Sequence, residues 1–260
     1  MCIAYLSLGV NPDWPLFIAA NRDEFHQRPT LAARPWPDAP QIIAGRDLSA
    51  GGTWLGMSLS QRWALLTNFR DPGNQRPDAS SRGKLVSDFL QGEMSAEEYT
   101  KYIYSRAQDY NGFNLIVGHG LHAWYVGNHA ACTGPVSLAP GRYALSNHAL
   151  DTPWPKVELL RNRLDALVPE DGELQLEPIY EILRDGSRPD DHALPRTGVP
   201  LDTERLLSSI FIVSPNYGTR CSTIIAMNAQ GHGIFSETSY DNTGTPIERH
   251  DWPLYTSRLY

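Results

Sequence analysis

The chain has 260 residues, of which 41% are hydrophobic, and its formal net charge at pH 7 is −7. This charge argues against nucleic acid or an anionic membrane as the main partner, because both need clustered positive charge. The sequence contains no run of about 18 apolar residues, so no transmembrane segment is predicted. We also expect no secretory signal peptide, because the N-terminus lacks the pattern of one.

The first two dozen residues predict a β-hairpin. Residues 2–8 and 16–20 are apolar runs, and the segment between them is rich in Gly, Pro, Asn and Asp. Antiparallel pairing puts the start of the first strand beside the end of the second. We therefore expect Cys2 to lie beside residues 21–24, whose sequence is Asn-Arg-Asp-Glu.

Cys2 directly follows the initiator methionine, and its small side chain permits removal of Met1. Removal would leave an α-amine, with a pKa of about 7.7–8.0, beside a thiol with a pKa of about 8.5. The amine can then act as general base for the thiol, as in N-terminal nucleophiles. The alternative is an ordinary edge hairpin in which the thiol packs as a small hydrophobe.

The charged residues after the second apolar run are the predicted partners of Cys2. Arg22 would hold the thiolate by charge, and Asp23 or Glu24 would orient the amine. Adjacent side chains in a strand point to opposite faces. We therefore expect Arg22 or Asp23 to miss the pocket, and Glu24 to replace Asp23.

The next part of the chain predicts further antiparallel strands. Residues 26–40 are rich in Pro and Arg and are interpreted as a long surface loop, with the lining of a pocket mouth as the alternative. Residues 41–44 are interpreted as a short strand. The paired glycines Gly51 and Gly52 indicate a positive φ or a close backbone approach. Residues 62–67 predict another strand.

Two helices are predicted in the middle of the chain. Residues 81–91 place apolar side chains on one face, and Ser95 with Glu98 forms a capping box that opens a helix to about residue 108. Residues 113–117 and 122–126 then predict a hairpin, and residues 143–146 a strand.

The last part of the chain mixes helices, a loop and strands. Residues 154–167 and 176–183 predict helices, and residues 184–200 a surface loop. Asp202 is expected to cap a short helix, which precedes strands at residues 209–213, 222–227 and 233–238. The C-terminal tail is expected to pack on the surface.

Several motifs resemble, in order, those of the NRDE family, also called the transport and Golgi organisation 2 family. They cover nearly the whole chain: Asn21-Arg22-Asp23-Glu24, Gly51-Gly52-Thr53-Trp54-Leu55-Gly56, Leu66-Thr67-Asn68-Phe69-Arg70, Tyr110-Asn111-Gly112-Phe113-Asn114-Leu115, Leu145-Ser146-Asn147, Asp151-Thr152-Pro153-Trp154-Pro155-Lys156 and Tyr217-Gly218-Thr219-Arg220. The resemblance implies an α+β fold, a four-layer αββα sandwich like that of N-terminal-nucleophile (Ntn) hydrolases. We expect residues 1–260 to form one such domain.

The resemblance also implies roles for individual residues. By likeness to related acylases, Asn68 and Asn147 would stabilise an oxyanion and Arg220 would hold the thiolate or substrate; the alternatives are turn asparagines and an exposed hairpin arginine. Predicted catalytic residues are Cys2, Arg22, Asp23, Asn68, Asn147 and Arg220. Predicted binding residues are Asn21, Glu24, Trp54, Phe69, Arg70 and Tyr217.

Two of these binding predictions carry a specific expectation. Arg70 would grip an acidic ligand at a pocket mouth, or else be a solvated loop residue. Trp54, Phe69 and Tyr217 would be pocket walls in a carrier.

Three functions follow from this set. The first is a cysteine amidohydrolase acting on a linear, non-peptide amide bond, which requires no cofactor. The second is a non-catalytic carrier for haem or an acyl-lipid, since family members are linked to haem trafficking and lipid metabolism and a single axial histidine needs no motif. The third is a structural or interaction protein.

The cysteines and histidines predict no metal site. The three cysteines are an odd number without metal-ligand spacing, and the eight histidines are scattered. A reduced, cytoplasmic setting is the simplest interpretation.

Overall fold

The computed structural model describes residues 2–167 and 174–259, which form two antiparallel sheets with helices outside them. The six-stranded sheet has the spatial order β10 (Gly141–Leu145), β1 (Cys2–Leu8), β2 (Leu16–Phe25), β11 (Tyr217–Met227), β12 (His232–Tyr240) and β13 (Pro246–Tyr255). The predicted first hairpin is confirmed, and its two strands lie inside this sheet rather than at an edge.

The second sheet has seven strands, which follow one another in chain order. They are β3 (Thr30–Trp36), β4 (Ala39–Asp47), β5 (Leu55–Ser58), β6 (Arg62–Asn68), β7 (Phe113–His119), β8 (His122–Gly127) and β9 (Val136–Leu138). The α-helices of the described residues are α1 (Gly83–Gln91), α2 (Ala96–Ser105), α3 (Pro155–Leu167), α4 (Leu176–Leu183) and α5 (Leu201–Leu206). The predicted capping box of Ser95 and Glu98 opens α2.

Alternate strand residues face opposite sides of a sheet, so each sheet packs apolar side chains on both faces. Three apolar clusters formed in this way hold the layers together. Leu6 and Ile18 belong to the cluster between the sheets. Tyr5 and Phe17 face the other way and pack with α3 and α4, while α1 and α2 cover the outer face of the seven-stranded sheet. The predicted αββα sandwich is therefore confirmed.

Two segments differ from the predictions in opposite ways. Residues 26–40, expected to be a loop, contain β3 and the start of β4; β3 is an edge strand, where a proline such as Pro35 is tolerated. Residues 209–213, expected to be a strand, form none, although Ile210 and Ile212 are fully buried. An apolar run signals burial but does not by itself specify a strand.

Smaller corrections concern element ends. Tyr217 to Arg220 lie within β11 rather than before it. Asp202 lies in the first turn of α5, whose N-cap is Pro200. The C-terminal tail supplies the edge strand β13. Among the described helices, none combines the length and the apolar character that crossing a bilayer requires.

Candidate active site

Cys2 and Arg22 face each other across the β1–β2 ladder. They are direct partners in its antiparallel register. Both side chains point between the sheets, because Ala4 and Ala20, two residues along each strand, belong to the inter-sheet cluster. The hairpin therefore brings the predicted nucleophile and its predicted cationic partner together.

Arg22 is held rigidly in this position. Its guanidinium stacks over the Trp54 ring at 4.3 Å from the centroid and lies 3.5 Å from the Asp47 carboxylate. It also donates a hydrogen bond to Thr30 Oγ1 at 3.3 Å. Since the side chain is only 5% exposed, these contacts fix its position beside Cys2.

Cys2 opens into a cavity of about 390 Å³ between the sheets and the start of α1. The thiol residue itself is 8% exposed, so it is reached through this cavity. The lining includes three arginines, three acidic residues and one predicted amide: Arg22, Arg28, Arg82, Asp23, Glu24, Asp47 and Asn68. A cavity with this lining can bind a small polar molecule in contact with the sulfur.

Burial raises the pKa of the Cys2 thiol above its ordinary value. The charge of Asp23 raises it further, whereas Arg22 and a backbone hydrogen bond from Asp23 lower it. The geometry therefore offers the sulfur a cation and a backbone donor, whereas burial disfavours its thiolate form.

Asp23 and Arg22 contact different layers, as strand alternation predicts. The Asp23 carboxylate accepts a hydrogen bond from Thr219 Oγ1 at 2.7 Å. Its pKa is raised by burial and lowered by the nearby charge of Lys156, which is buried in α3. Asp23 also lines the cavity together with Arg22 and Glu24, so the replacement of Asp23 by Glu24 in orienting the amine stays a prediction.

Asn68 ends β6 and lines the cavity, as its predicted role requires. Asn147 lies behind it: its Nδ2 donates to the Asn68 carbonyl at 3.0 Å, and its own carbonyl accepts from the Arg70 backbone N–H at 2.8 Å. Ser146 Oγ donates to the Cys2 carbonyl at 3.1 Å. Asn147 is therefore placed to hold Asn68, while its predicted direct contact with an oxyanion stays a prediction.

Arg220 is the extra residue of a β-bulge, between Thr219, which pairs with Asp23, and Cys221, which pairs with Arg22. Its guanidinium donates to the carbonyl oxygens of Phe25, His26 and Arg28 at 3.0–3.3 Å. Arg220 thereby stabilises the turn that precedes Arg28, and Arg28 lines the cavity.

Arg70 does not line the cavity at Cys2, and its side chain is not solvated. It forms an ion pair with Glu204 at 2.7 Å, with the two side chains only 6% and 4% exposed. Its guanidinium also lies 5.0 Å from the centroid of the Trp154 ring. Its charge is neutralised inside the protein, which corrects both sequence-based interpretations.

Three other predicted binding residues do not line the cavity at Cys2. Asn21 Nδ2 donates to the carbonyls of Leu183 and Ile210, so this side chain joins β2 to the helical layer. Tyr217 packs edge-on against Phe25. Phe69 stacks on His129 and lines a second cleft. Trp54 and Glu24, by contrast, line the cavity at Cys2.

The sequence reasoning missed Arg28 and Asp47 as cavity residues. Arg28 lies in the segment interpreted as a loop, and it pairs with Asp47 at 2.5 Å. The signal available was the short separation of this segment from Arg22, but only the pairing of β3 with β4 brings Asp47 back to the cavity.

The second cleft, of about 1160 Å³, adjoins the cavity and shares Asn111 with it. His148 lines this cleft; its Nδ1 lies 2.9 Å from Thr152 Oγ1, and its pKa is lowered by burial and by Arg70. A neutral imidazole of this kind can present Nε2 to a ligand. Among the described residues, no cluster of three or more His, Cys, Asp or Glu could hold a metal ion.

Comparisons with known proteins agree on the family. A family model described as Transport and Golgi organisation 2 matches residues 1–242. The Transport and Golgi organization 2 homolog of Mus musculus is 34% identical over 258 residues, covering 92% of this chain and 93% of the relative. The Bos taurus homolog is 34% identical over 276 residues, covering 98% and 99%.

A solved structure shares the fold. The C2A mutant of conjugated bile acid hydrolase from Clostridium perfringens aligns with a TM-score of 0.51 and 10% sequence identity, covering 99% of this chain and 98% of that chain. This likeness shows the Ntn-hydrolase-like fold that the resemblance implied.

Proposed function

The chain belongs to the Transport and Golgi organisation 2 family, and on that premise we propose that it is a cysteine amidohydrolase that cleaves a linear, non-peptide amide bond. The observation that carries the proposal is the Cys2 thiol opening into a cavity directly opposite Arg22. A nucleophile, a fixed cation and an amide donor then share one small polar space.

The proposed reaction begins with removal of Met1, which frees the α-amine of Cys2. The amine accepts the thiol proton, and the sulfur attacks the amide carbonyl to form a C–S bond. Asn68 Nδ2 donates a hydrogen bond to the resulting oxyanion. The protonated α-amine gives its proton to the leaving nitrogen as the C–N bond breaks, and water then hydrolyses the thioester and regenerates the thiol.

The other residues act on the position and charge of these groups. Arg22 favours the thiolate by its charge, and its contacts with Trp54 and Asp47 keep it in place. Asn147 holds the backbone of Asn68. Asp23 and its buried neighbour Lys156 set the charge on the helical side of β2.

Two measurements test the hydrolase proposal. Intact mass should show a protein lacking Met1, and a panel of N-acyl amides should include one whose hydrolysis is abolished in Cys2→Ala and in Cys2→Ser. Circular dichroism spectra that match the wild type would show that these variants fold. A processed wild-type protein that turns over no amide on the panel, or an activity that survives in Cys2→Ala, would overturn the proposal.

A non-catalytic carrier is the second candidate, and one observation favours it. The adjoining cleft is about three times larger than the cavity and is lined by Phe69, Tyr104, Tyr110 and His148. These residues fit a large, flat, partly apolar cargo such as haem, with His148 Nε2 as the axial donor; an acyl-lipid would use the same walls.

An absorption titration with ferric haem tests this carrier function. We expect a stoichiometric Soret change that is lost in His148→Ala and kept in the matched variant His122→Ala, whose histidine is exposed on β8. An acyl-lipid titration is run in parallel. Failure of both ligands to bind at micromolar concentration would exclude the carrier.

A further inference from the structure

Arg82 differs from the other two arginines of the cavity in its charge environment. Arg22 and Arg28 both contact Asp47, and Arg28 also lies 4.0 Å from Glu24. Within residues 2–167 and 174–259, no carboxylate oxygen lies within 4.0 Å of the Arg82 guanidinium. Its identified hydrogen bond runs from one Nη to the Gly112 carbonyl at 2.8 Å.

The acidic residues of the cavity are already engaged by other partners. Asp47 contacts two arginines, Asp23 accepts from Thr219, and Glu24 accepts from the Phe25 backbone N–H at 2.9 Å. Arg82 is half-buried, and the loss of hydration lowers its pKa, against the smaller raising effect of the Glu24 charge. A partly dehydrated guanidinium without a carboxylate partner favours binding of an external anion.

The paired glycines before β5 pack against the start of α1, next to Arg82. A Cβ on Gly52 would lie 2.3 Å from the carbonyl carbon of Gly83, so only glycine lets these backbones approach. The Thr53 N–H donates to the Gly83 carbonyl at 3.2 Å. Gly51, at a φ of +77°, makes the turn that leads into this contact. The loop before β5 is thereby joined to the start of α1, beside Arg82.

We propose that Arg82 binds a carboxylate carried by the molecule that occupies the cavity at Cys2. The three acidic residues balance the three arginines in number, so a singly charged carboxylate is accommodated better than a doubly charged phosphate. A planar carboxylate also matches the guanidinium fork. Combined with the proposed hydrolase function, on which this last step rests, the substrate class becomes small amides bearing a carboxylate.

The test compares two alkylating reagents of similar size, one anionic and one neutral. Iodoacetate and iodoacetamide both form a C–S bond with the Cys2 thiolate and release iodide, but only iodoacetate carries a carboxylate. The ratio of their rates at Cys2, followed by mass spectrometry of the N-terminal peptide, cancels any change in thiolate fraction. This readout needs no substrate and no hydrolase activity.

We expect Arg82→Gln to lower the iodoacetate-to-iodoacetamide rate ratio about 3- to 10-fold, as expected for loss of one nearby cation. Arg82→Lys should keep most of the ratio because it keeps the charge. The matched control Arg34→Gln removes an equal charge from an exposed residue and should change the ratio less than 2-fold.

An unchanged ratio in Arg82→Gln, or an equal change in Arg34→Gln, would overturn the carboxylate site. If Arg82→Gln does not fold by circular dichroism, the same ratio is measured in wild type with increasing chloride: a fall supports the site and a constant ratio contradicts it. A rate ratio that depends on the charge of residue 82, in a protein that hydrolyses no amide, would support the anion site and contradict the proposed hydrolase function.

Discussion

Cys2 on β1 and Arg22 on β2 are direct partners in the sheet register, and the Arg22 guanidinium stacks on the Trp54 ring. A direct pair in an antiparallel ladder has its Cβ atoms about 5 Å apart. The cation is therefore built into the sheet rather than carried on a loop. This pairing makes the reactivity of the thiol sensitive to one neighbouring side chain.

The pH dependence of Cys2 labelling is the first prediction. Because burial raises the thiol pKa, the iodoacetamide rate should still be rising above pH 9. Arg22→Gln removes a charge that lowers this pKa, so its profile should move to higher pH, while Arg22→Lys stays near wild type. Rates from mass spectrometry at each pH provide the measurement, and coincident profiles for wild type and Arg22→Gln would contradict it.

The close approach of Gly52 to Gly83 gives the second prediction. Gly52→Ala puts a Cβ against backbone atoms at 2.3 and 2.5 Å, so the loop and α1 must separate. We expect urea denaturation to show a loss of about 1–3 kcal/mol in the free energy of unfolding. The control Gly73→Ala, whose nearest atom is Asp71 Oδ1 at 3.9 Å, should change it by less than about 0.5 kcal/mol.

The buried pair of Arg70 and Glu204 gives the third prediction. Glu204→Gln leaves the Arg70 charge buried without its partner, and two further Arg70 nitrogens already lack a hydrogen-bond partner among the described residues. We expect unfolding in urea to show a loss of about 3 kcal/mol.

A surface pair provides the comparison for that measurement. Lys101 and Glu97 pair on an exposed face of α2. Lys101→Gln should change the free energy of unfolding by less than about 0.5 kcal/mol. Equal losses of unfolding free energy in Lys101→Gln and Glu204→Gln would show that the buried pair of Arg70 and Glu204 matters no more for stability than an exposed pair.

Lys156 gives the fourth prediction, on stability against pH. Burial lowers its pKa from 10.5 to about 8, and its Nζ donates to the Leu207 carbonyl in either protonation state. Between pH 8 and 10.5 the Lys156 amine is therefore more protonated in the unfolded chain than in the folded one. The contribution of Lys156 to the free energy of unfolding should rise with pH across this window.

The comparison with Lys156→Met isolates this contribution. The stability of wild type relative to Lys156→Met, from urea denaturation, should increase by about 2–3 kcal/mol from pH 7.5 to 10.5. The exposed control Lys84→Met should show no such trend. A flat difference for Lys156→Met would mean that the buried amine keeps an ordinary pKa.

Local sequence signals were sufficient for much of the fold. Turn residues and apolar alternation predicted the first hairpin and hence the pairing of Cys2 with Arg22. The capping box predicted α2, and the paired glycines predicted a close backbone approach. These signals depend on neighbours a few residues apart, so they can be interpreted without the tertiary structure.

The same local signals failed where burial and strand pairing diverge. The prolines of residues 26–40 indicated a loop, but β3 forms there because an edge strand tolerates proline. Ile210 and Ile212 are apolar because they are buried, yet their segment forms no strand. A pattern of apolar residues reports the environment of side chains and leaves the backbone partner unspecified.

The sequence by itself determined the place of Cys2 beside Arg22, because turns and alternation act over short distances. Its motifs resembled those of the family, and that resemblance implied the sandwich architecture. Only the tertiary structure decided which polar residues share the cavity. It buried Arg70 against Glu204, put Asn147 behind Asn68, and left Arg82 facing the cavity without a carboxylate partner among the described residues. Those outcomes depend on contacts between distant segments, whose pairing is set by the packing of the whole core.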